Sequence, residues 1–175
     1  KLVMNRDEVF KATGPTPGTK IRVKIGAKKS GEITAGKAWL AYESGAFPGS
    51  WGKLGGWCVF ACYNIPNVKI EALEILLNRP VNIAYRAPSA PMAAYATETV
   101  LDQIAREIDM DPIDFRMLNA VKKGDIQLGD FGGKFPRIGI KETLEAIKNH
   151  PNYKIPLRHN QGRGIATGYW FNIAQ

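Results

Sequence analysis

Between Lys20 and Ile25 the chain alternates strictly, with Ile21, Val23 and Ile25 set between Lys20, Arg22 and Lys24. A period of two predicts a half-buried strand with one wet face. Lys29-Ser30-Gly31 reads as a turn, and Glu32 to Tyr42 as the returning strand of a hairpin. Val68 to Leu77 is β-like and mostly apolar, which predicts an interior strand. Ahead of the hairpin, Asn5 caps a short helix over Arg6 to Lys11, and Thr13-Gly14-Pro15-Thr16-Pro17-Gly18 breaks it.

The second half changes to helical spacing. Pro91 to Ile108 is the clearest helix, with Tyr95, Val100, Leu101, Ile104, Ala105 and Ile108 as its apolar stripe and Asp102, Arg106 and Glu107 opposite. Glu98 and Glu107 read as surface or capping groups of this helix, without a catalytic role. Asp111 caps a further helix with Pro112 at its first position, and Phe115, Leu118 and Val121 are expected on its core side. Gly124 to Gly139 is a loop, Lys141 to Asn149 a short helix closed by Pro151, and Arg158 to Gly164 a linker. Ile165 to Ile173 predicts a strand. Strands and helices follow one another without a regular βαβ rhythm, so the expected class is α+β, a mixed sheet with packed helices.

Composition narrows the picture. The 175 residues carry 45% hydrophobic and 23% charged side chains, values of an ordinary globular chain. No apolar run is long enough to span a membrane, and the first thirty residues lack the pattern of a signal peptide. The opening on Lys1 and the close inside the apolar run Trp170 to Gln175 read as a piece of a larger subunit. The net charge of +8 suits a phosphate-bearing partner, yet Lys20, Arg22, Lys24, Lys28 and Lys29 most simply make a solvated face. Cys58 and Cys62 share a face if their segment is helical, and read as a buried free thiol pair of a reducing compartment. Two cysteines cannot hold an iron–sulfur cluster, and His150 and His159 complete no zinc set. Gly129, Gly132 and Gly133 form no phosphate-binding loop of the Gly-Lys-Ser/Thr kind, and Trp39, Trp51, Trp57 and Trp170 are expected in core packing.

The stretch with most chemical content runs from Asn82 through Tyr85-Arg86-Ala87-Pro88-Ser89-Ala90-Pro91 into the long helix. Pro88 biases Ala87 away from helical geometry, Ser89 is the expected N-cap, and Pro91 suits the first turn. Free amides, the positive end of a helix dipole and the Arg86 guanidinium then converge where an oxyanion-rich ligand could sit. On the residues alone, a structural arginine paired with a core acid is an equal alternative.

Several segments together resemble one family. "AYRAPSAP" at residues 84–91 is similar to the "AYRAPGAP" or "AFRGFGGPQ" loop of the molybdenum-cofactor subunit of the xanthine dehydrogenase and aldehyde oxidase family. Residues 1–50 resemble the middle of that family's first cofactor-binding domain, "IDMDPIDFRMLNAVKKGD" its "LGIDPIEFRLKNAVREGD" signature, and "GRGIATGYWFN" the opening of its second cofactor-binding domain. The resemblance implies that residues 1–139 are the C-terminal part of the first cofactor-binding domain, and residues 140–175 a linker helix and the start of the second.

The resemblance also implies an activity: hydroxylation of an electrophilic carbon with water as oxygen donor. Tyr85, Arg86 and Ala87 become the expected cofactor contacts, and Pro88 and Leu54 positions of the substrate pocket. The region from Gly45 to Tyr63 is expected to form a helix beside the substrate funnel. The implied cofactor is molybdenum-molybdopterin, with a cytosine dinucleotide as one form of it. Iron–sulfur clusters and FAD are expected on partner subunits, in a cytoplasmic dimer of heterotrimers acting on a small molecule. Ala87 offers no ligand for the copper of carbon monoxide dehydrogenases, Pro88 replaces a stacking phenylalanine, and Leu54 stands where xanthine-type enzymes orient substrate with arginine. An aldehyde or an aromatic or heterocyclic substrate is therefore expected rather than xanthine. The family's catalytic glutamate turn and its glutamine loop do not occur in these residues, so none of them is assigned catalysis and the piece alone is expected to be inactive. A basic nucleic-acid-binding module and a catalytically degenerate structural homologue are the competing readings.

Overall fold

The computed structural model describes residues 1–49, 51–129 and 133–170. Three strands, β1 (Thr19–Ala27), β2 (Ile33–Gly45) and β3 (Val68–Leu76), form one mixed sheet in the order β1-β2-β3. β1 and β2 are the expected antiparallel hairpin, with Arg22 opposite Trp39 and Lys24 opposite Lys37. β3 runs parallel to β2, so the connection must cross a face of the sheet, and α2 (Trp51–Cys58) makes that crossing. α1 (Arg6–Ala12) carries a full capping box, Asn5 accepting from the Glu8 amide while Glu8 accepts from the Asn5 amide. The architecture is the expected α+β, built around a single parallel crossover.

Alternation along β2 places Ala38, Leu40, Tyr42 and Ser44 in the interior, with no exposure. Ile21, Val23 and Ile25 of β1 line the same side. α2 and the long α3 (Ala90–Glu107) lie over this face, α3 against β1 and α2 against β2 and β3. α2 ignores helix propensity: Gly52, Gly55 and Gly56 are all buried, although each glycine costs a helix up to about 1 kcal/mol. The reason is close approach, since a Cβ on Gly52 would lie 2.8 Å from the Leu73 carbonyl oxygen and one on Gly55 would lie 2.4 Å from the Tyr42 hydroxyl. Here packing on the sheet outweighs local preference. The helix therefore begins inside the glycine-rich stretch and ends at Cys58, and the residues up to Tyr63 are turns.

Four further expectations are corrected. Among the described residues β3 is an edge strand rather than an interior one, leaving Leu73, Ile75 and Leu76 partly exposed. Its outer side is covered by nothing among the described residues, and the buried central strand is β2. Tyr95 stands 79% exposed on α3, because the helix buries the row Ala93, Thr97, Leu101 and Ala105 one step around. On α4 (Pro112–Asn119) Leu118 is exposed, while Ile113, Phe115, Arg116 and Asn119 are buried. Residues 165–170 form no strand; they lie along α3, and the remainder of that expected strand, Phe171 to Ile173, falls outside the described residues. Gly132 of the glycine-rich loop falls outside them too.

The remaining elements match their caps. Asp111 accepts from the amides of Ile113 and Asp114 at the head of α4. α5 (Ile140–Asn149) ends before Pro151, which opens the short α6 (Pro151–Lys154). α5 packs on α4, with an ion pair between Lys148 and Asp114. No described helix is long and apolar enough to cross a membrane.

Candidate functional site: the loop at the head of α3

Backbone geometry sets residues 82–91 apart. Ala87 has φ +53° and Ser89 φ +69°, two left-handed non-glycine residues on either side of Pro88. Each costs roughly 1–2 kcal/mol, so the surroundings must hold them. At the entrance, the Asn82 amide donates to the Ser44 carbonyl (3.3 Å) and the Ile83 amide to the Pro15 carbonyl (3.2 Å). Gly14 lies tight against this entrance, where a Cβ would come within 2.0 Å of the Val81 carbonyl oxygen. At the exit, the Ala90 amide donates to Ala87 and the Ala93 amide to Ser89.

Ser89 differs from its expected role. Its side chain caps nothing, because in the left-handed conformation its hydroxyl reaches no amide of the first turn. Ser89 is 1% exposed, and its Oγ is buried without a hydrogen-bond partner among the described residues. Pro91 does sit in the first turn as expected. The related loop quoted above carries glycine at this position, which meets φ +69° without strain. Ser89→Gly is accordingly expected to stabilise the chain by about 1 kcal/mol, as relief of strain and of an orphaned hydroxyl outweighs glycine's added unfolded-state entropy. A rise of a few degrees in Tm is the expected reading, and a fall in Tm would contradict this account of the loop.

The expected site residues divide into two groups. Tyr85 and Arg86 are exposed, whereas Ala87 and Pro88 are half-buried. Ala87 and Leu54 pack against the same core cluster, so the structure brings α2 and the loop together through their apolar sides. Tyr85 lines a cleft of about 850 Å³ with Thr16, Pro17, Pro91, Met92 and Tyr95, and neither Arg86 nor Leu54 lines it. Arg86 is exposed rather than set in the core, and none of the ion pairs among the described residues involves it. Among those residues none accepts from the amides of Arg86, Ala87 or Ser89. The unused amides of Arg86 and Ala87, the positive end of an 18-residue helix and an exposed arginine thus occupy one stretch of backbone, while the Ser89 amide is enclosed by protein. This donor set fits a cofactor rich in phosphate and oxo groups. No three His, Cys, Asp or Glu side chains among the described residues come together as a metal site, so a metal here would be carried by its cofactor.

A second polar centre departs from the expectation for Glu98. Glu98 is 6% exposed and is no surface group. It accepts from the Tyr63 hydroxyl (2.6 Å), Arg116 Nε (2.8 Å), the Thr167 hydroxyl (2.8 Å) and the Thr167 amide (3.0 Å). Arg116, with no exposure, also donates to Asp102 Oδ1 at 2.7 Å and to the Pro112 carbonyl at 3.0 Å. Burial alone would lower the Arg116 pKa, but Glu98, Tyr63 and Asp102 outweigh it and the pKa rises. Burial and Glu98 likewise push the Tyr63 phenol far up, so it stays a donor. The cluster bolts α3 to α4, to the turn after α2 and to residues 165–170. Its signal was present: Glu98 stands three residues before Leu101 and seven before Ala105, on the buried face of α3.

Cys58 and Cys62 are buried and free, as expected, although only Cys58 is helical. Burial raises Cys58 to about 12 with help from Cys62, and raises Cys62 to about 11 against a hydrogen bond from Thr167. Both are therefore protonated and unreactive at neutral pH. The basic residues of β1 are solvated, and Arg22 stacks over Trp39 with its guanidinium carbon 5.3 Å from the ring centre. Trp39 is thus on the outer face rather than in the core, while Trp51 and Trp57 pack against the core.

Comparison with known proteins fixes the class. Residues 1–120 match the molybdopterin cofactor-binding domain, and the chain belongs to that family. It is 27% identical to the aldehyde oxidoreductase of Megalodesulfovibrio gigas over 97% of this chain and 20% of the relative. Identity is 30% to the molybdenum-binding subunit of an aldehyde oxidoreductase from Escherichia coli O157:H7, over 100% of this chain and 24% of that subunit. The solved aldehyde oxidoreductase from Desulfovibrio gigas superposes with a TM-score of 0.73 at 27% identity, over 86% of this chain and 16% of that one. The chain thus spans about a quarter or less of the length of these relatives. The family assignment supports the cofactor reading of the loop and gives none to the nucleic-acid module.

Proposed function

We propose that this chain is the cofactor-loop portion of the large subunit of a molybdenum hydroxylase that oxidises an aldehyde or an aromatic or heterocyclic carbon. The observation that carries it is the strained loop from Tyr85 to Ser89, with its unused amides and the exposed Arg86 at the head of α3. Relatives named aldehyde oxidoreductase and nicotinate dehydrogenase support the substrate class. A molybdopterin cofactor, when bound, supplies the oxygen-transfer and two-electron chemistry. The chain's own part is to bind and orient: Arg86 presents a fork of donors to oxyanions, the Ala87 amide adds a fixed donor, and Tyr85 flanks them. Pro88 and Leu54 contribute apolar wall to the substrate side, with no group to orient a purine. Residues 1–139 belong in this proposal to the first cofactor-binding domain and residues 140–175 to the linker and second domain. The cytosine dinucleotide form of the cofactor, iron–sulfur and FAD subunits, and a cytoplasmic dimer of heterotrimers complete it; two free buried thiols support a reducing compartment.

The test is a substrate screen of the assembled parent enzyme with an artificial electron acceptor. Turnover of aldehydes or N-heterocycles, with xanthine inert, is the expected result. Turnover of xanthine would contradict the reading of Pro88 and Leu54, and no turnover of any of these would favour a degenerate homologue.

A further inference from the structure

We infer that Tyr42 is a positioning residue that sets the cofactor loop against α2 through its hydroxyl. Tyr42 lies mid-strand in β2 with no exposure, and its hydroxyl donates to the Ser89 carbonyl at 3.0 Å. Among the described residues this is the single side-chain hydrogen bond that reaches the loop's left-handed turn from another element. The same hydroxyl touches α2 at Gly55, where the 2.4 Å approach of an added Cβ shows that only glycine leaves room for it. Three elements therefore meet at one oxygen: the central strand, the helix bearing Leu54, and the turn that follows Arg86. Ala87 and Ser89 are held in conformations they do not favour, and a buried donor on the Ser89 carbonyl is what such a turn needs to persist. Burial, with Cys58 and Tyr85 adding to it, pushes the Tyr42 phenol well above its ordinary range, which keeps the proton on the oxygen throughout the physiological range. The contribution is geometric, because Tyr42 is enclosed by protein and meets no ligand.

This inference rests on the proposed cofactor reading, and its test separates the two. The purified parent enzyme, the Tyr42→Phe variant and an Ile113→Val control are dialysed well below their unfolding temperatures, and the rates of pterin and molybdenum release are measured. Tyr42→Phe keeps the ring and removes one oxygen, so the fold is retained. Ile113→Val trims the fully buried Ile113 of α4, in the neighbourhood of Arg116 rather than of the loop, at comparable cost. Tyr42→Phe is expected to release cofactor about tenfold faster, the effect of losing one buried hydrogen bond, with the control at the wild-type rate. Release at the wild-type rate from Tyr42→Phe, or equal acceleration in Ile113→Val, would overturn the positioning role while leaving the cofactor reading intact. A wild-type parent without pterin would overturn both.

Discussion

Replacing Arg116 by methionine is expected to weaken the packing of α3, α4 and residues 165–170 by roughly 3–5 kcal/mol, because it leaves the Glu98 carboxylate buried without its cation. Removing the guanidinium also deprives the Pro112 carbonyl and Asp102 of their donors. Methionine fills much of the volume, so a cavity is a small part of the loss. Hydrogen exchange in the parent subunit measures this directly, as accelerated exchange of α3 and α4 amides and of the Thr167 amide that Glu98 holds. Adding Glu98→Gln to Arg116→Met is expected to recover part of the loss, since it removes the stranded charge while keeping an acceptor for Tyr63. Unchanged exchange in Arg116→Met would show that the cluster is not the bolt between α3 and its neighbours.

Arg86→Ala has the largest expected effect on cofactor binding. Hydrogen bonds to charged groups contribute about 1.5–3 kcal/mol, so the parent should retain pterin and molybdenum roughly ten- to a hundredfold less tightly. Arg86→Lys should restore part of this, because a point charge replaces the attraction but not the planar fork of donors. Arg79→Ala is the control. Arg79 is an exposed cation just upstream, paired with Glu43 at 2.9 Å, and exposed pairs contribute little. Equal loss of cofactor in the Arg79 and Arg86 variants would reduce the role of Arg86 to general surface charge.

What could be read without coordinates follows the reach of local rules. Caps and periodicity belong to neighbouring residues, so Asn5, Asp111 with Pro112, and the alternation around Val23 placed α1, α4 and the hairpin. α2 was expected only through the resemblance, because its three buried glycines oppose helix formation locally, and contact with Leu73 and Tyr42 explains Gly52 and Gly55. β3 showed its apolar content but not its neighbours, which alone decide between an edge and an interior strand. The same limit hid the Glu98 cluster, whose partners lie 18 and 69 residues along the chain. At the candidate site, the non-helical backbone of Ala87 and the helix start were legible from Pro88 and Pro91. The failure of Ser89 to cap was not, because it depends on a left-handed turn held by Tyr42 from another strand.

The central claim is that the loop from Tyr85 to Ser89 binds a molybdopterin. Metal and pterin analysis of the parent subunit, isolated with its partners from its native host, tests it most directly. Molybdenum and pterin near one per subunit is the result expected here. A properly assembled complex holding neither would contradict it.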